Sequence, residues 1–452
     1  MDGQSQFRQR IAIIGSGISG LSAAWLLNSM HDVTLYEKDE RAGGHSHTLD
    51  VATPSGLQPV DMGFIVYNEV TYPNLTAMFA HLDVPTKASD MSLSISLDDG
   101  RLEYGGGRIG QLLAQRSNLV RPRFWSMLGE LVRFYRQAPR DLAALRTEGL
   151  TLGEYLQRNN FGRAFVEDHL LPMAAAIWSV PNHAVLSFPA SSFIRFQENH
   201  CLLNLTSRPI WRTVTGGSRT YVDRLVQSLG SGVRTGCAAS AVVRQGNHVL
   251  VRDRTGRTNT FDQIVMATHP DQALALLDDA TDDERRLLGA IRYSRNVAYL
   301  HSDIRLMPKR RRAWASWNYI GRSGARADAL TVTYWMNLLQ GIPEDLPLFV
   351  TLNPEAAPPG ALTHATKVFE HPVMDIEAQR AQDELWSLQG VRGTWYCGAY
   401  FGAGFHEDGL QAGLAVAEAL GGVRRPWSVE NESGRINVHG ADVITARTCS
   451  PA

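Results

Sequence analysis

A chain of 452 residues can bury two full cores, and 44% hydrophobic with 20% charged residues is the composition of an ordinary soluble enzyme. A formal net charge of −1 argues for neither nucleic-acid binding nor electrostatic membrane attachment; a peripheral lipid contact through an amphipathic or aromatic surface stays open. Four scattered cysteines (Cys201, Cys237, Cys397, Cys449) lack metal-ligand spacing and point to a reduced, cytoplasmic protein, and neither a signal region at Met1 to Arg10 nor a run of about 18 apolar residues is seen.

The first fifty residues organise the rest. Ile11-Ala12-Ile13-Ile14 reads as a strand buried on both faces, and Gly15-Ser16-Gly17-Ile18-Ser19-Gly20 follows at once. A helix-compatible run, Leu21 to Leu27, leads to a second strand, Val33 to Tyr36, which ends at Glu37. Strand, glycine turn, helix, strand and acid within roughly 30 residues form the dinucleotide fingerprint in its full context. Gly15 permits the tight turn, Gly17 lets a pyrophosphate approach the backbone, and Gly20 allows the helix to pack on the sheet. The helix N-terminus offers free N–H groups to phosphates, Ser19 among its first residues. Glu37 can accept from ribose hydroxyls and disfavours a 2′-phosphate, which argues against NADP here while FAD and NAD both remain.

Further on, Gln58 to Asn68 reads as a strand around a glycine turn, and residues 70–85 as a helix with Leu75, Met78, Phe79 and Leu82 on one face. Ser92 to Leu97 and the turn Asp98-Asp99-Gly100 suggest a strand pair. From 108 to 180 the spacing of Leu112, Leu113, Phe124, Trp125, Leu128, Leu131, Phe134 and Tyr135 predicts long amphipathic helices of a cap, with Thr151 as the N-cap of one. Leu171 to Ser179 is small and apolar, suited to a helix lying on something flat. Helix Tyr221 to Leu229 precedes an antiparallel set around 233–235, 241–244 and 248–251, then a buried strand from Phe261 to His269. Strands such as Val297 to His301 and Ala329 to Trp335 predict a second sheet. Gly393 to Tyr400 is a strand leading to glycine, and a last helix opens at His406 and reaches Leu420; residues 426–452 read as a loosely packed polar tail.

Glu37-Lys38-Asp39-Glu40-Arg41-Ala42-Gly43-Gly44-His45 resembles the extended FAD signature of the flavin amine oxidase superfamily, which includes protoporphyrinogen oxidase and phytoene desaturase. His45 stands where that superfamily often has Arg. Gly43 to Thr48, Asp61 to Asn68, Ile177-Trp178-Ser179, Trp314 to Tyr319, Val350 to Pro354 and Gly402 to Leu410 resemble a bacterial branch identified as amine-oxidase-like, and the likeness spans about residues 8–425. It implies FAD as cofactor, held by Gly15, Gly17, Ser19, Gly20, Glu37, Lys38, Arg41, Gly43, Gly44 and His45. It also implies a backbone segment at Ala239 for the adenine, Gly398 and Ala399 at the phosphates, and Asp408, Gly409 and Leu410 at the ring. In the resemblance the last helix points its N-terminus at the ring, with Leu410 offering its N–H. Relatives resemble enzymes acting on unsaturated fatty acyl chains and accompany cyclopropane-fatty-acid-synthase-like methyltransferases, which implies an apolar substrate and a methyltransferase as functional partner.

The expected fold class is α/β: a Rossmann-like, glutathione-reductase-like FAD-binding domain (1–60, 205–290, 385–425) with an interleaved α+β substrate or cap domain (61–204, 291–384) and a tail (426–452). His406 and Glu407 form the best titratable pair for moving protons, with Tyr67 and Tyr400 as further catalytic candidates. Trp178, His200, Trp317 and Tyr334 face the substrate in this reading. Lys309, in Pro308 to Arg312, reads as a solvated turn rather than a lysine beside the flavin, which weakens an amine-oxidase reading. His45, His47 and Cys397 read as noncovalent neighbours of the flavin. No metal site and no second dinucleotide fingerprint is visible. The expected activity is dehydrogenation or double-bond rearrangement of an unsaturated acyl chain, with amine oxidation and a non-catalytic flavin scaffold as rivals.

Overall fold

The structure is a computed structural model that describes residues 8–107, 109–178, 182–204, 209–322 and 331–438. Five strands lie parallel in one sheet, in the order Val233–Arg234, Asp32–Tyr36, Arg10–Ile14, Gln263–Met266, Thr394–Tyr396. The central strand Arg10–Ile14 (β1) carries Ile11, Ala12 and Ile13, all fully buried in a core shared by helices and by Val242, Val249, Val251 and Phe261 of a three-stranded antiparallel sheet. Helix Ile18–Leu27 (α1) leaves β1 and returns to Asp32–Tyr36 (β2) on one side; Gln263–Met266 pairs on the other. That reversal puts a crevice at the carboxyl end of β1.

Gly15 has φ +103, and a Cβ there would stand 2.7 Å from the carbonyl oxygen of Ala267. The C-terminal helix, His406–Gly421, packs along α1 in the same direction, with Gly409 against Ile18 and Ser19, Gly413 against Ser19 and Ser22, and Gly421 against Leu27. A Cβ on Gly413 would lie 2.2 Å from the Ser19 carbonyl oxygen, so glycine sets this close approach.

A second sheet of seven strands runs Thr363–Pro372, Tyr293–His301, Phe349–Leu352, Thr331–Trp335, Trp317–Gly321, Leu93–Leu97, Leu102–Gly105. All neighbours are antiparallel except Trp317–Gly321 beside Leu93–Leu97. Helix Leu171–Trp178 lies on this sheet with Ala175 and Ala176 in its core, the flat partner its small residues imply; Ser179 lies outside the described residues. Helix Pro73–His81 (α2) links the two layers. The short helix Ile109–Leu112 (α3) and the 27-residue helix Pro122–Glu148 (α4) begin a helical cap with its own core around Phe134, Tyr155, Phe165 and Phe193. Thr151 caps the next helix by accepting from Glu154 N at 3.2 Å.

Four expectations change. The helix over 70–85 is Pro73–His81: Pro73 fixes its first turn, and Asp83 at φ 52 ends it. Val233–Arg234 joins the parallel sheet beside β2, because helix Arg219–Leu229 before it makes a crossover rather than a hairpin. Phe261 to His269 is not one strand: Thr258–Phe261 pairs antiparallel with His248–Asp253, and Gln263–Met266 enters the parallel sheet. Residues 426–438 are not loosely packed. Trp427 stacks on Trp25 at 5.7 Å, Ile436 is buried, and Arg435 pairs with Asp408 at 2.7 Å. The rest of the expected tail, 439–452 with Cys449, lies outside the described residues.

Candidate functional site

Two helix N-termini open side by side at the crevice. Gly17 is the N-cap of α1 and gives no side-chain cap, and no acid stands in the first turn. The N–H groups of Ile18, Ser19 and Gly20 make no hydrogen bond among the described residues. A Cβ on Gly17 meets nothing within 4 Å, while one on Gly44 would lie 3.0 Å from Gly17 Cα. The Gly43-Gly44 loop therefore lies against the glycine turn and leaves open space over Gly17. Uncapped donors, partial positive charge and an open backbone are what a pyrophosphate needs.

Glu37 sits at the end of β2. Its Oε2 accepts from Ser16 N (3.0 Å) and the Ser16 hydroxyl, and Oε1 accepts from Asp39 N (2.8 Å). Four lone-pair sites with three donors leave capacity for a ribose hydroxyl. Arg234 O accepts from Glu37 N, and Cys237 N donates to Glu37 O, which ties the segment leading to Ala239 to the acid. Lys38 points outward and is exposed. The Arg41 guanidinium donates to the carbonyls of Ala42, Gly44 and Ser46, so it shapes the Gly43-Gly44 loop. Gly398 and Ala399 follow the last parallel strand, and Ala399 O accepts from Gly402 and Gly404, curling the chain toward His406.

His406 lies parallel to Phe64, ring centroids 3.8 Å apart. Its Nε2 meets the Tyr221 hydroxyl at 2.7 Å and the Ser46 hydroxyl at 3.3 Å, and the two hydroxyls also bond each other. Burial lowers the His406 pKa to about 3, so its imidazole is neutral. His45 is held well below its ordinary value by burial and then by His371; His371 and His47 are brought by burial to about 4. An aromatic wall runs from the Gly402 to Phe405 loop into the cap: Phe405 stacks on Phe196 (4.8 Å), which contacts Trp178 (4.5 Å) and His200 (3.9 Å). Trp317, edge-on to Tyr334 at 4.9 Å, buries an indole N–H without a partner.

Three catalytic candidates sit in structural positions. Glu407 is fully buried and accepts from Asn74 N (3.0 Å), Asn74 Nδ2 (2.9 Å), Leu75 N (2.9 Å) and Gln411 Nε2 (3.0 Å). It caps α2, whose own N-cap, Tyr72, offers no acceptor. Tyr400 is 1% exposed in the core of the parallel-sheet layer, its ring folded over Gly398; burial pushes its pKa far up, so it stays protonated. Tyr67 is buried between Tyr72 and Phe79, and its backbone pairs with Arg212. Leu410 is also displaced: the open N–H groups of the C-terminal helix are those of His406, Glu407 and Asp408, because Gly409 N already bonds Phe405 O. Asp408 accepts from Phe405 N at 2.7 Å and is paired with Arg435. Lys309 pairs with Asp99 at the surface, as a solvated turn should.

Phe64, Ser46, Tyr221, Asn74 and Arg435 escaped sequence reasoning. Phe64 lies in the Asp61 to Asn68 segment and Ser46 beside Gly44, so both carried a local signal. Tyr221, Asn74 and Arg435 reach the loop only through long-range folding.

The fold and the cradle define a dinucleotide-binding flavoprotein of the Rossmann type. The sequence model of the flavin containing amine oxidoreductase family matches residues 18–302, and the chain belongs to this family. Its cofactor is FAD, and it is a flavin-dependent oxidoreductase. No curated protein matches the chain in sequence. Among solved structures, cyclohexylamine oxidase from Brevibacterium oxydans IH-35A is 15% identical, with TM-score 0.65 over 92% of this chain and 100% of that one. Putrescine oxidase, solved bound to putrescine, is 13% identical with TM-score 0.62, covering 92% and 99%. A CLA-producing fatty acid isomerase from P. acnes is 17% identical with TM-score 0.59, covering 90% and 97%. At these identities the likeness is one of fold.

Proposed function

We propose that the protein dehydrogenates an unsaturated fatty acyl or similar apolar chain, or rearranges its double bonds. One observation carries this reading: a set of buried ionisable side chains around the Gly402 to His406 loop is neutral or already committed. His45, His200, His371 and His406 are kept uncharged by burial. Glu407 is bound to α2, Asp408 to Arg435, and Asp61 to Ser218 and Gln340. A desolvated alkylammonium needs an unpaired carboxylate or an equivalent partner, whereas a hydrocarbon chain asks only for apolar surface. Trp178, Phe196 and Phe405 supply such surface.

Bound FAD supplies acceptance of a hydride from carbon, kept in a dehydrogenation and returned at another carbon in a rearrangement. The chain's own residues bind, exclude water and hold protons. The N–H groups of α1 hold the phosphates and Glu37 the ribose. Phe64 fixes the plane of His406, and the Tyr221 and Ser46 hydroxyls give Nε2 a relay along which a proton moves.

The test is anaerobic incubation of the holoprotein with unsaturated fatty acids, acyl esters and primary amines. Flavin bleaching, or a new conjugated-diene absorbance without bleaching, is expected with the lipids. Bleaching by amines alone would overturn the reading in favour of amine oxidation.

A further inference from the structure

We infer that the outer face of α4, with the turn before it, docks on an anionic phospholipid bilayer. The chain as a whole is nearly neutral, yet Ile109 to Arg140 holds six arginines (Arg116, Arg121, Arg123, Arg133, Arg136, Arg140) and one acid, Glu130. Glu130 accepts from Gly162 N at 2.7 Å. Arg123 is paired with Asp168 and Glu167. Arg133 lies on the Phe161 ring and donates to the carbonyls of Asn159 and Asn160, so its charge has no counter-ion. Arg116, Arg136 and Arg140 are exposed and form no ion pair among the described residues.

Exposed apolar side chains lie on the same helix and in the turns before it. Ile109 is 79% exposed, Val120 82%, Trp125 51% and Leu119 49%. The Trp125 indole N–H donates to Leu119 O at 2.9 Å, which holds the ring over the turn that carries Arg116. Along α4, Trp125, Gly129, Arg136 and Arg140 follow one another at helical spacing. A groove of about 450 Å³ opens on that stripe, lined by Gly129, Val132, Arg133, Arg136 and Arg140. Gly129 adds no side chain, and a Cβ there would meet nothing within 4 Å. Asp141 at the groove's end accepts from the Tyr155 hydroxyl (2.8 Å) and Gln137 Nε2 (3.2 Å).

Unpaired guanidinium groups beside exposed Trp, Val and Ile match the two layers of a membrane surface. The arginines meet lipid phosphates, their fork geometry suiting phosphate oxygens, and the apolar side chains enter the acyl boundary. A soluble acidic partner would satisfy the arginines but leave Ile109 and Val120 in water. The neutral net charge does not oppose this, because attraction to a surface is set within a Debye length of about 8 Å.

The experiment is sedimentation of the FAD-loaded full chain with vesicles of phosphatidylcholine, with and without phosphatidylglycerol; it reads no turnover and so stands or falls apart from the substrate reading. Binding is expected only with phosphatidylglycerol, falling with added NaCl. Arg136→Gln with Arg140→Gln is expected to weaken it by roughly 30-fold. Val120→Ser with Trp125→Ser is expected to abolish it, with flavin content and far-UV circular dichroism unchanged in both variants. Equal binding to phosphatidylcholine alone, or no binding to either vesicle, would overturn the inference. So would self-association removed by Val120→Ser, which would make the face a contact between two copies.

Discussion

Glu407→Ala separates a bracing carboxylate from a chemical one. The substitution leaves Asn74 N, Leu75 N and Gln411 Nε2 without acceptors inside the protein; Asn74 Nδ2 still donates to Glu432 O at 2.9 Å. A buried orphan donor costs about 1–3 kcal/mol, so three cost about 3–9 kcal/mol before any cavity is counted. Burial raises the Glu407 pKa, which means that its charge is itself unfavourable at pH 7, and removing it returns part of that loss. The net expectation is about 4 kcal/mol of lost stability. With a urea slope of about 3 kcal/mol per molar, the unfolding midpoint falls by about 1 M. Glu407→Gln keeps one acceptor oxygen and loses about half as much. Urea unfolding followed by tryptophan fluorescence reads both, with flavin-coupled turnover measured on the folded fraction. A variant with an unchanged midpoint and no turnover would refute the capping role and return Glu407 to the chemistry.

Gly17→Ala and Gly20→Ala should part company. Gly17→Ala fills open space at φ −64, so the apoprotein keeps its unfolding midpoint while FAD binds about tenfold or more weakly, as titration of the apoprotein will show. At Gly20 a Cβ would stand 1.9 Å from Gly15 O, so folding itself fails, seen as insoluble or low-midpoint protein. Acid weakens the fold. Burial holds His200 and His406 near about 3 and His301 and His371 near about 4, below the unfolded value of 6.5. The unfolded chain then takes protons that the folded chain refuses, and stability is lost as pH falls below 6.5; by pH 5.5 each histidine costs about 1.4 kcal/mol. Asp61, pushed up to about 6 by burial, acts the other way and returns about 1 kcal/mol, so a midpoint that stays flat between pH 7.5 and 5.5 would contradict the burial of these rings. Arg435→Gln strands the Asp408 carboxylate, fully buried beside it, at about 3–5 kcal/mol, and Asp408→Asn in the same chain should recover much of that in a double-mutant cycle.

Local pattern carried the parallel layer. β1, the glycine turn, α1, β2 and Glu37 were all readable because each element's signal lies within its own residues, and the crevice follows from their order. The C-terminal helix was readable too, from the strand and glycine loop that lead into it; its close approach to α1 at Gly409 and Gly413 is set by Ser19 and Ser22, which lie far off in the chain. What failed was pairing set by distant chain. Val233–Arg234 has the look of a hairpin strand until β2 claims its edge. Residues 426–438 look like a polar tail because their contacts, Trp25, Asn74 and Asp408, come from three other regions. Tyr400 misled for a related reason: an aromatic after a glycine turn has the same pattern whether its ring enters a site or folds back over Gly398.

The two adjoining helix N-termini also divide their work by charge. α1 has no acid in its first turn and no cap, so its partial positive charge is left for an anion. The C-terminal helix carries Glu407 and Asp408 in its first turn, and each is balanced by a second partner, the N-terminus of α2 for one and Arg435 for the other. Its dipole is therefore partly offset by its own first-turn acids. At this helix, what remains is a neutral imidazole held between Phe64 and Tyr221, next to aromatic surface. That neutral, apolar end is what the proposed reading of an uncharged chain as substrate rests on, since Glu407 and Asp408 are already held by the fold.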